Sequence, residues 1–380
     1  MTTSANTSTA TPTTGRLHHV DNLRIALTAL VVLHHAAVTY STIPLWYYKE
    51  ATTDSSAMLL DIFVVLNQSF FMGAFFLIAG LFVPGSHDRK GAGRFLAERL
   101  LRLGVPLLVW LLVLRPLVTI DRYTAARDAA AQQGAELPYW QYYLSSFSPG
   151  PMWFVEVLLV FSALYVLWRR LAPAPAPVSA LGRAPGAVAI VGFTIALALV
   201  TYLWRIVLPM DSHVLGLPTP GYLPQYAALF TVGLLAARRG WLHGLSRTAG
   251  RIGLAAAGLA VLALLVVTGS GGVEFLGHGT WQSLAMVTCE SVLAVGLVLG
   301  LLVLFRERLG SQGPRRRFLS AHAYTVYLIH PVVLVVLGHA LGGVQAPVAA
   351  KFAIMAVLAL PLCWAVAYPV RALPGLRKVL

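Results

Sequence analysis

The run LRIALTALVVLHHAAVTY, residues 23–40, decides how the rest of the chain is read. A bilayer crossing takes about 20 mostly apolar residues. This run carries one charge, Arg24, at its start and two histidines, His34 and His35, past its middle. Nine further runs have the same character: Leu60 to Phe82, Leu103 to Ile120, Met152 to Trp168, Ala187 to Leu208, Pro224 to Ala237, Ile252 to Thr268, Trp281 to Phe305, Ala323 to Leu341 and Val348 to Val370. The sixth of the ten is the shortest, bounded by Pro224 and by Arg238 and Arg239.

Composition points the same way. Hydrophobic residues make up 58% of the 380 and charged residues 11%, with a mean hydropathy of +0.74. A soluble globular chain carries about 25% charged residues, so lipid is the solvent for most of this one. The expected fold class is an all-α integral membrane protein of about ten transmembrane helices.

The basic residues set the orientation. With the N-terminus in the cytoplasm, ten crossings place 22 of the 28 Lys and Arg residues on the cytoplasmic side, as the positive-inside rule requires. Adding or losing one helix would flip half the clusters. Both termini are therefore expected in the cytoplasm. Residues 1–19 read as a disordered tail with no signal peptide, 20–370 as the transmembrane domain and 371–380 as a short basic tail. The excess of Arg over Lys suggests a bacterium, hence a multi-pass protein of the bacterial cell membrane. The net charge of +14 sits in clusters between apolar runs, so nucleic acid is not an expected partner. Cys289 and Cys363 fall inside apolar runs and read as packing residues. On the outer side Trp46, Tyr47, Tyr48, Tyr139, Trp140, Tyr142 and Tyr143 form an aromatic belt at the headgroup level, or a platform for a sugar ring.

Ionisable groups inside spans are expensive and mark function by default. His34, His35, Glu156, Glu290 and His330 stand out. Arg24 and His35, eleven residues apart, return to within about 20° of one helix face with a rise of roughly 16 Å; His34 points about 80° away. Asp21, one turn before Arg24, is placed to pair with it. His330 and Glu290 each lie nine residues into a span, near the midplane, and Glu156 lies near the outer end of its own. A neutral imidazole with a group to hold its tautomer is what general-base chemistry needs, and His35, Glu156, Glu290 and His330 are the candidate catalytic residues. The alternative is that these groups satisfy one another across helices, and that His330 bonds a carbonyl freed by Pro331. Arg94, Arg99 and Arg102 precede the third span at the depth of Arg24. Arginine suits bidentate phosphate recognition; the alternative is anchoring to lipid headgroups. No zinc-ligand spacing, P-loop or Gly-x-Ser-x-Gly elbow is present.

Five segments in order resemble the membrane acyltransferase-3 family, from Val20 to about Pro369. They are Val20-Asp21-Asn22-Leu23-Arg24 running on to His34-His35, Phe75-Phe76-Leu77-Ile78-Ala79-Gly80 with Ala79 in place of the usual Ser, and Arg99-Leu-Leu-Arg102. Gly150-Pro-Met-Trp153-Phe154 and Tyr327-Leu-Ile-His330-Pro331 complete the set. Arg102-Leu-Gly-Val-Pro106 and the stretch from His35 to Ser41 are most similar to the branch that includes glucan biosynthesis protein C. The resemblance implies transfer of an acyl group, acetyl or succinyl, from cytoplasmic acyl-CoA to a hydroxyl of a cell-envelope glycan or a lipid-linked acceptor. Acyl-CoA would be a substrate, with no bound cofactor and no metal. His35 would be the base, and Arg24, Arg99 and Arg102 the coenzyme A contacts. A transporter or exporter of a polar envelope metabolite is the rival expectation. It too wants midplane charges, but it does not need Arg and His stacked on one face above an Arg-x-x-Arg element.

Overall fold

The computed structural model describes residues 17–172, 182–212, 214, 216–269 and 274–380. The tail 1–16 and the Pro173, Pro175 and Pro177 linker lie outside the described residues. Nine helices among them are long and apolar enough to cross a bilayer. Numbered in chain order with a tenth, α6, they are α1 (His18–Tyr40), α2 (Ala57–Lys90), α3 (Ala92–Val118), α4 (Gly150–Leu171), α5 (Ala187–Val207), α7 (Arg247–Gly269), α8 (Trp281–Arg308), α9 (Pro314–Leu341) and α10 (Val348–Ala372). The tenth, α6 (Leu223–Arg239), has 17 residues and so spans about 25 Å.

Helix pairing decides whether α6 crosses. Arg24 on α1 meets Ser320 on α9, Nη2 to Oγ 3.1 Å, and His35 on α1 meets His330 on α9 at 3.1 Å. The residue numbers rise together, so α1 and α9 run parallel. Two parallel spans are separated by an odd number of crossings, and only with α6 included do seven helices lie between them. The short sixth run is a true span. Antiparallel α10 then returns to the end where α1 begins: Trp364, late in it, donates from Nε1 to the Leu319 carbonyl at 3.1 Å. That end is called the basic end below, and the opposite one the aromatic end.

Small residues set the helix contacts, as expected where lipid supplies no hydrophobic drive between helices. A Cβ on Gly80 of α2 would fall 2.3 Å from the Phe230 carbonyl oxygen, and one on Gly233 of α6 would fall 2.2 Å from the Leu77 oxygen. At the basic end Arg238 of α6 grips Asp88 of α2 at 2.5 Å and donates to the Tyr165 hydroxyl of α4 at 2.9 Å. Asn22 ties the start of α1 to the α8–α9 connection, donating to the carbonyls of Leu309 at 2.6 Å and Ser311 at 3.0 Å.

Two helices are longer than expected. α2 runs on from Ala57 to Lys90, and α3 begins at Ala92, so Arg99 and Arg102 lie within α3 rather than ahead of it. α3 is underwound at Leu100–Gly104 and Trp110–Leu114, two π turns closely followed by Pro106 and Pro116, which cannot donate to the preceding turn. The stretch after α3 holds two short helices, Ile120–Gln132 and Tyr139–Ser145.

The crossing of α6 is checked by cysteine accessibility. With Cys289 and Cys363 replaced by alanine, Asp211→Cys and Ser246→Cys flank α6 and should react with an impermeant maleimide from opposite sides of sealed vesicles; labelling from one side would exclude the crossing. Gly80→Val should lower the unfolding midpoint in detergent, by about 1–3 kcal/mol for an overpacked contact. Gly258→Val, whose Cβ would meet nothing within 4 Å, should not.

Candidate functional site

Inside lipid a backbone carbonyl must find a donor within the protein. Pro331 has no N–H, so the Tyr327 carbonyl four residues back lacks its helical partner. His330 takes that place: its Nδ1 lies 2.6 Å from the Tyr327 oxygen. A carbonyl only accepts, so His330 Nδ1 carries the proton and its Nε2 presents a lone pair. That lone pair faces His35 Nδ1 at 3.1 Å. His35 Nδ1 also faces the Val31 carbonyl at 3.1 Å, so it must be the donor. In the neutral ring His35 Nε2 is left bare, a lone pair on a partly open imidazole, while His330 is fully enclosed. The carbonyl that Pro331 frees is met by one ring nitrogen of His330, and the other ring nitrogen meets His35.

Trp46 lies flat over the pair, its ring centroid 4.3 Å from that of His35 at 21°. It belongs to the strap between α1 and α2, which Arg122 holds by donating to the main-chain carbonyls of Trp46 and Tyr47. Lys49 donates to the carbonyls of Val38, Ser41 and Ile43, capping the end of α1. Tyr47 packs between Trp46 and Trp110 of α3, with centroids 5.2 and 5.9 Å away. Its hydroxyl occupies the space where a Cβ on Gly150 would stand, 1.7 Å away, and Gly150 has φ +52°. Only glycine fits there on both counts. Trp46 and Tyr47, expected in the headgroup belt, are thus part of the site's wall.

Below the pair, α9 presents Ser320, Tyr324, Tyr327 and His330 on one face, a rise of about 15 Å. The Tyr327 hydroxyl donates to the Pro151 carbonyl at the start of α4. The Tyr324 hydroxyl donates at 2.6 Å to the carbonyl of Arg102, which Pro106 leaves without its helical donor. This draws the Arg99–Arg102 turn of α3 against α9 one turn above Ser320, the partner of Arg24. Asp21 pairs with Arg24 at 2.9 Å, as the one-turn spacing predicts. Arg99 is half-buried and Arg102 exposed.

The two carboxylates are placed differently. Glu290 pairs with Arg205 of α5 at 2.7 Å and accepts from the Tyr222 hydroxyl at 2.5 Å, all three buried. Its partners account for its place in the membrane without a part in orienting His35. Glu156, on α4, has one buried carboxylate oxygen with no hydrogen-bond partner. The group that meets the His35 imidazole is His330. Arg205 escaped notice in the sequence, although the rule that singled out Glu290 applies equally to an arginine near the end of an apolar run. His34 stacks on Phe71 with centroids 5.0 Å apart.

A family model describing an acyltransferase domain, acyltransferase 3, matches residues 17–368. The chain belongs to the acyltransferase-3 family. It is a multi-pass membrane acyltransferase, transferring groups other than aminoacyl groups. No curated protein and no solved structure matches it. The matched region runs from the start of α1 to the last turns of α10, so every residue of the His pair and of the arginine cluster lies within the family domain.

Removing one partner of the buried Arg205–Glu290 pair leaves the other uncompensated, at a cost of about 3–5 kcal/mol. Glu290→Ala should therefore lower the unfolding midpoint in detergent strongly. The double variant Arg205→Leu/Glu290→Leu should recover much of that loss; a double variant as unstable as the two singles summed would contradict the pairing.

Proposed function

We propose that the chain moves an acyl group, acetyl or succinyl, from acyl-CoA at the cytoplasmic face of a bacterial cell membrane to a hydroxyl of an envelope glycan or lipid-linked acceptor. The observation that carries this reading is the His35–His330 pair, whose hydrogen bonds leave His35 Nε2 unprotonated at the top of a helix face that begins with Arg24. The basic end, which holds Arg24, Arg99, Arg102, Arg238 and Arg306, is taken as cytoplasmic.

Coenzyme A docks with its phosphates on Arg24, Arg99 and Arg102. Its pantetheine arm follows α9 past Ser320, Tyr324 and Tyr327 towards His35, a distance of about 15 Å. The acceptor enters from the aromatic end beneath the Trp46–Tyr47 strap. His35 Nε2 removes the hydroxyl proton as the oxygen attacks the thioester carbonyl. The tetrahedral intermediate collapses, the carbon–sulfur bond breaks, and the imidazolium returns the proton to the departing thiolate. An ester and free coenzyme A result. His330 accepts the His35 Nδ1 proton throughout and holds the productive tautomer, the place a carboxylate takes in a serine-protease triad. A neutral acceptor here avoids burying a further charge in the membrane.

Inverted vesicles fed radiolabelled acetyl-CoA or succinyl-CoA test this. Wild type should form labelled ester and His35→Ala none above background; near-wild-type labelling by His35→Ala would overturn the mechanism. His330→Ala should lower kcat roughly 10²-fold, in the range of general-base contributions, with KM for acyl-CoA little changed. Arg99→Ala and Arg102→Ala should instead raise KM for acyl-CoA, the signature of lost ground-state binding.

A further inference from the structure

Arg115, at the aromatic end of α3, is 2% exposed. Its Nη2 donates to the Ser146 carbonyl at 2.5 Å and lies 3.3 Å from Ser146 Oγ. Its guanidinium carbon lies 4.2 Å from the Tyr143 ring centroid and 5.7 Å from that of Phe147. Among the described residues no carboxylate pairs with it, and its Nη1 is buried with no acceptor. The other fully buried arginine, Arg205, has Glu290. A guanidinium taken out of water without a counter-charge is strongly disfavoured, so Arg115 is the exception that calls for an explanation.

Its neighbours share its want of acceptors. Trp110 lies one turn below on the same helix, its carbonyl accepting the Arg115 N–H. Trp46 Nε1, Tyr47 Oη and Trp110 Nε1 are all buried without partners among the described residues. Tyr47 and Tyr139 both feel the Arg115 charge, yet burial raises both phenols overall, so they stay protonated and able to donate. Three carboxylates of this end are engaged elsewhere: Asp121 with His339 at 2.9 Å, Glu50 with Lys351, and Asp61 with Thr42. Four buried donors, Arg115 Nη1, Trp46 Nε1, Tyr47 Oη and Trp110 Nε1, thus lie at this end with no acceptor among the described residues.

We infer that this cluster of donors receives an anionic group, a carboxylate or a phosphate, carried by one of the two substrates, and that Arg115 recognises it. The inference rests on the acyl-transfer reading of the His pair. A carboxylate can take both Nη1 and Nη2 in a bidentate contact, displacing the Ser146 carbonyl from Nη2. The group stands one turn of α3 above Trp110 and so beyond the reacting atoms at His35. That position suits the far end of a dicarboxylic acyl chain such as succinyl, or an acidic group on the acceptor.

The test compares wild type, Arg115→Gln and Arg115→Lys as full chains in inverted vesicles, each given radiolabelled acetyl-CoA and radiolabelled succinyl-CoA. The labelled product is then de-acylated by alkali, and the released acceptor is passed over an anion exchanger. Arg115→Gln should transfer at least tenfold less, and Arg115→Lys, which keeps the charge and most of the packing, should stay within a few-fold of wild type. Loss confined to succinyl-CoA puts the anion on the acyl group. Loss from both donors, with an acceptor the exchanger retains, puts it on the acceptor. Unchanged transfer by Arg115→Gln, or equal loss from both donors with an uncharged acceptor, overturns the inference. A wild type that labels nothing from either donor overturns the acyl-transfer reading and the inference with it.

Discussion

In water a carbonyl without its helical partner is solvated at little cost; in hydrocarbon it costs several kcal/mol. Pro331 creates such a carbonyl at Tyr327, and everything about the His pair follows from how it is satisfied. The imidazole of the preceding residue turns back to supply the missing proton. That bond fixes which nitrogen of His330 is bare, the bare nitrogen fixes which nitrogen of His35 is protonated, and the last lone pair in the sequence is the one available for chemistry. A defect in a helix ladder has become the means of setting a tautomer.

The same device recurs in α3. The Arg102 carbonyl, denied a donor by Pro106, takes the Tyr324 hydroxyl. The Leu111 carbonyl, in the π turn ahead of Pro116, takes the Tyr143 hydroxyl at 2.9 Å. Each bond ties α3 to another element at a chosen height: to α9 beside the arginines, and to the outer helix that carries Tyr143. Prolines that would weaken an isolated helix serve here as docking points, since each offers a strong acceptor at a fixed position.

Much of the fold could be read from the chain. Apolar run length and the distribution of arginines gave the number of spans, because the bilayer imposes length and the charges cannot hide. The common face of Arg24 and His35 followed from helical periodicity. What periodicity cannot say is which helix packs against that face. Glu290, at the right depth, was a reasonable partner for His35, but its carboxylate faces Arg205 and Tyr222. His330 was marked as a proline-dependent residue, and its second nitrogen could be placed only once α1 and α9 were known to run parallel. Trp46 and Tyr47 have the composition of a headgroup belt; their position over the pair depends on the strap that carries them, and no repeat in the sequence encodes its path.

That strap is held in a way that matters for how the enzyme can change. Arg122 and Lys49 grip main-chain carbonyls, not side chains, and the carbonyl is the one part of a residue that mutation leaves alone. The side chains at positions 46 and 47 can therefore be exchanged without loosening the clamp that holds the strap. The wall facing the substrate is free to drift while its scaffold stays fixed, which gives a lineage built on this fold a route to new substrates that leaves the His35–His330 pair untouched.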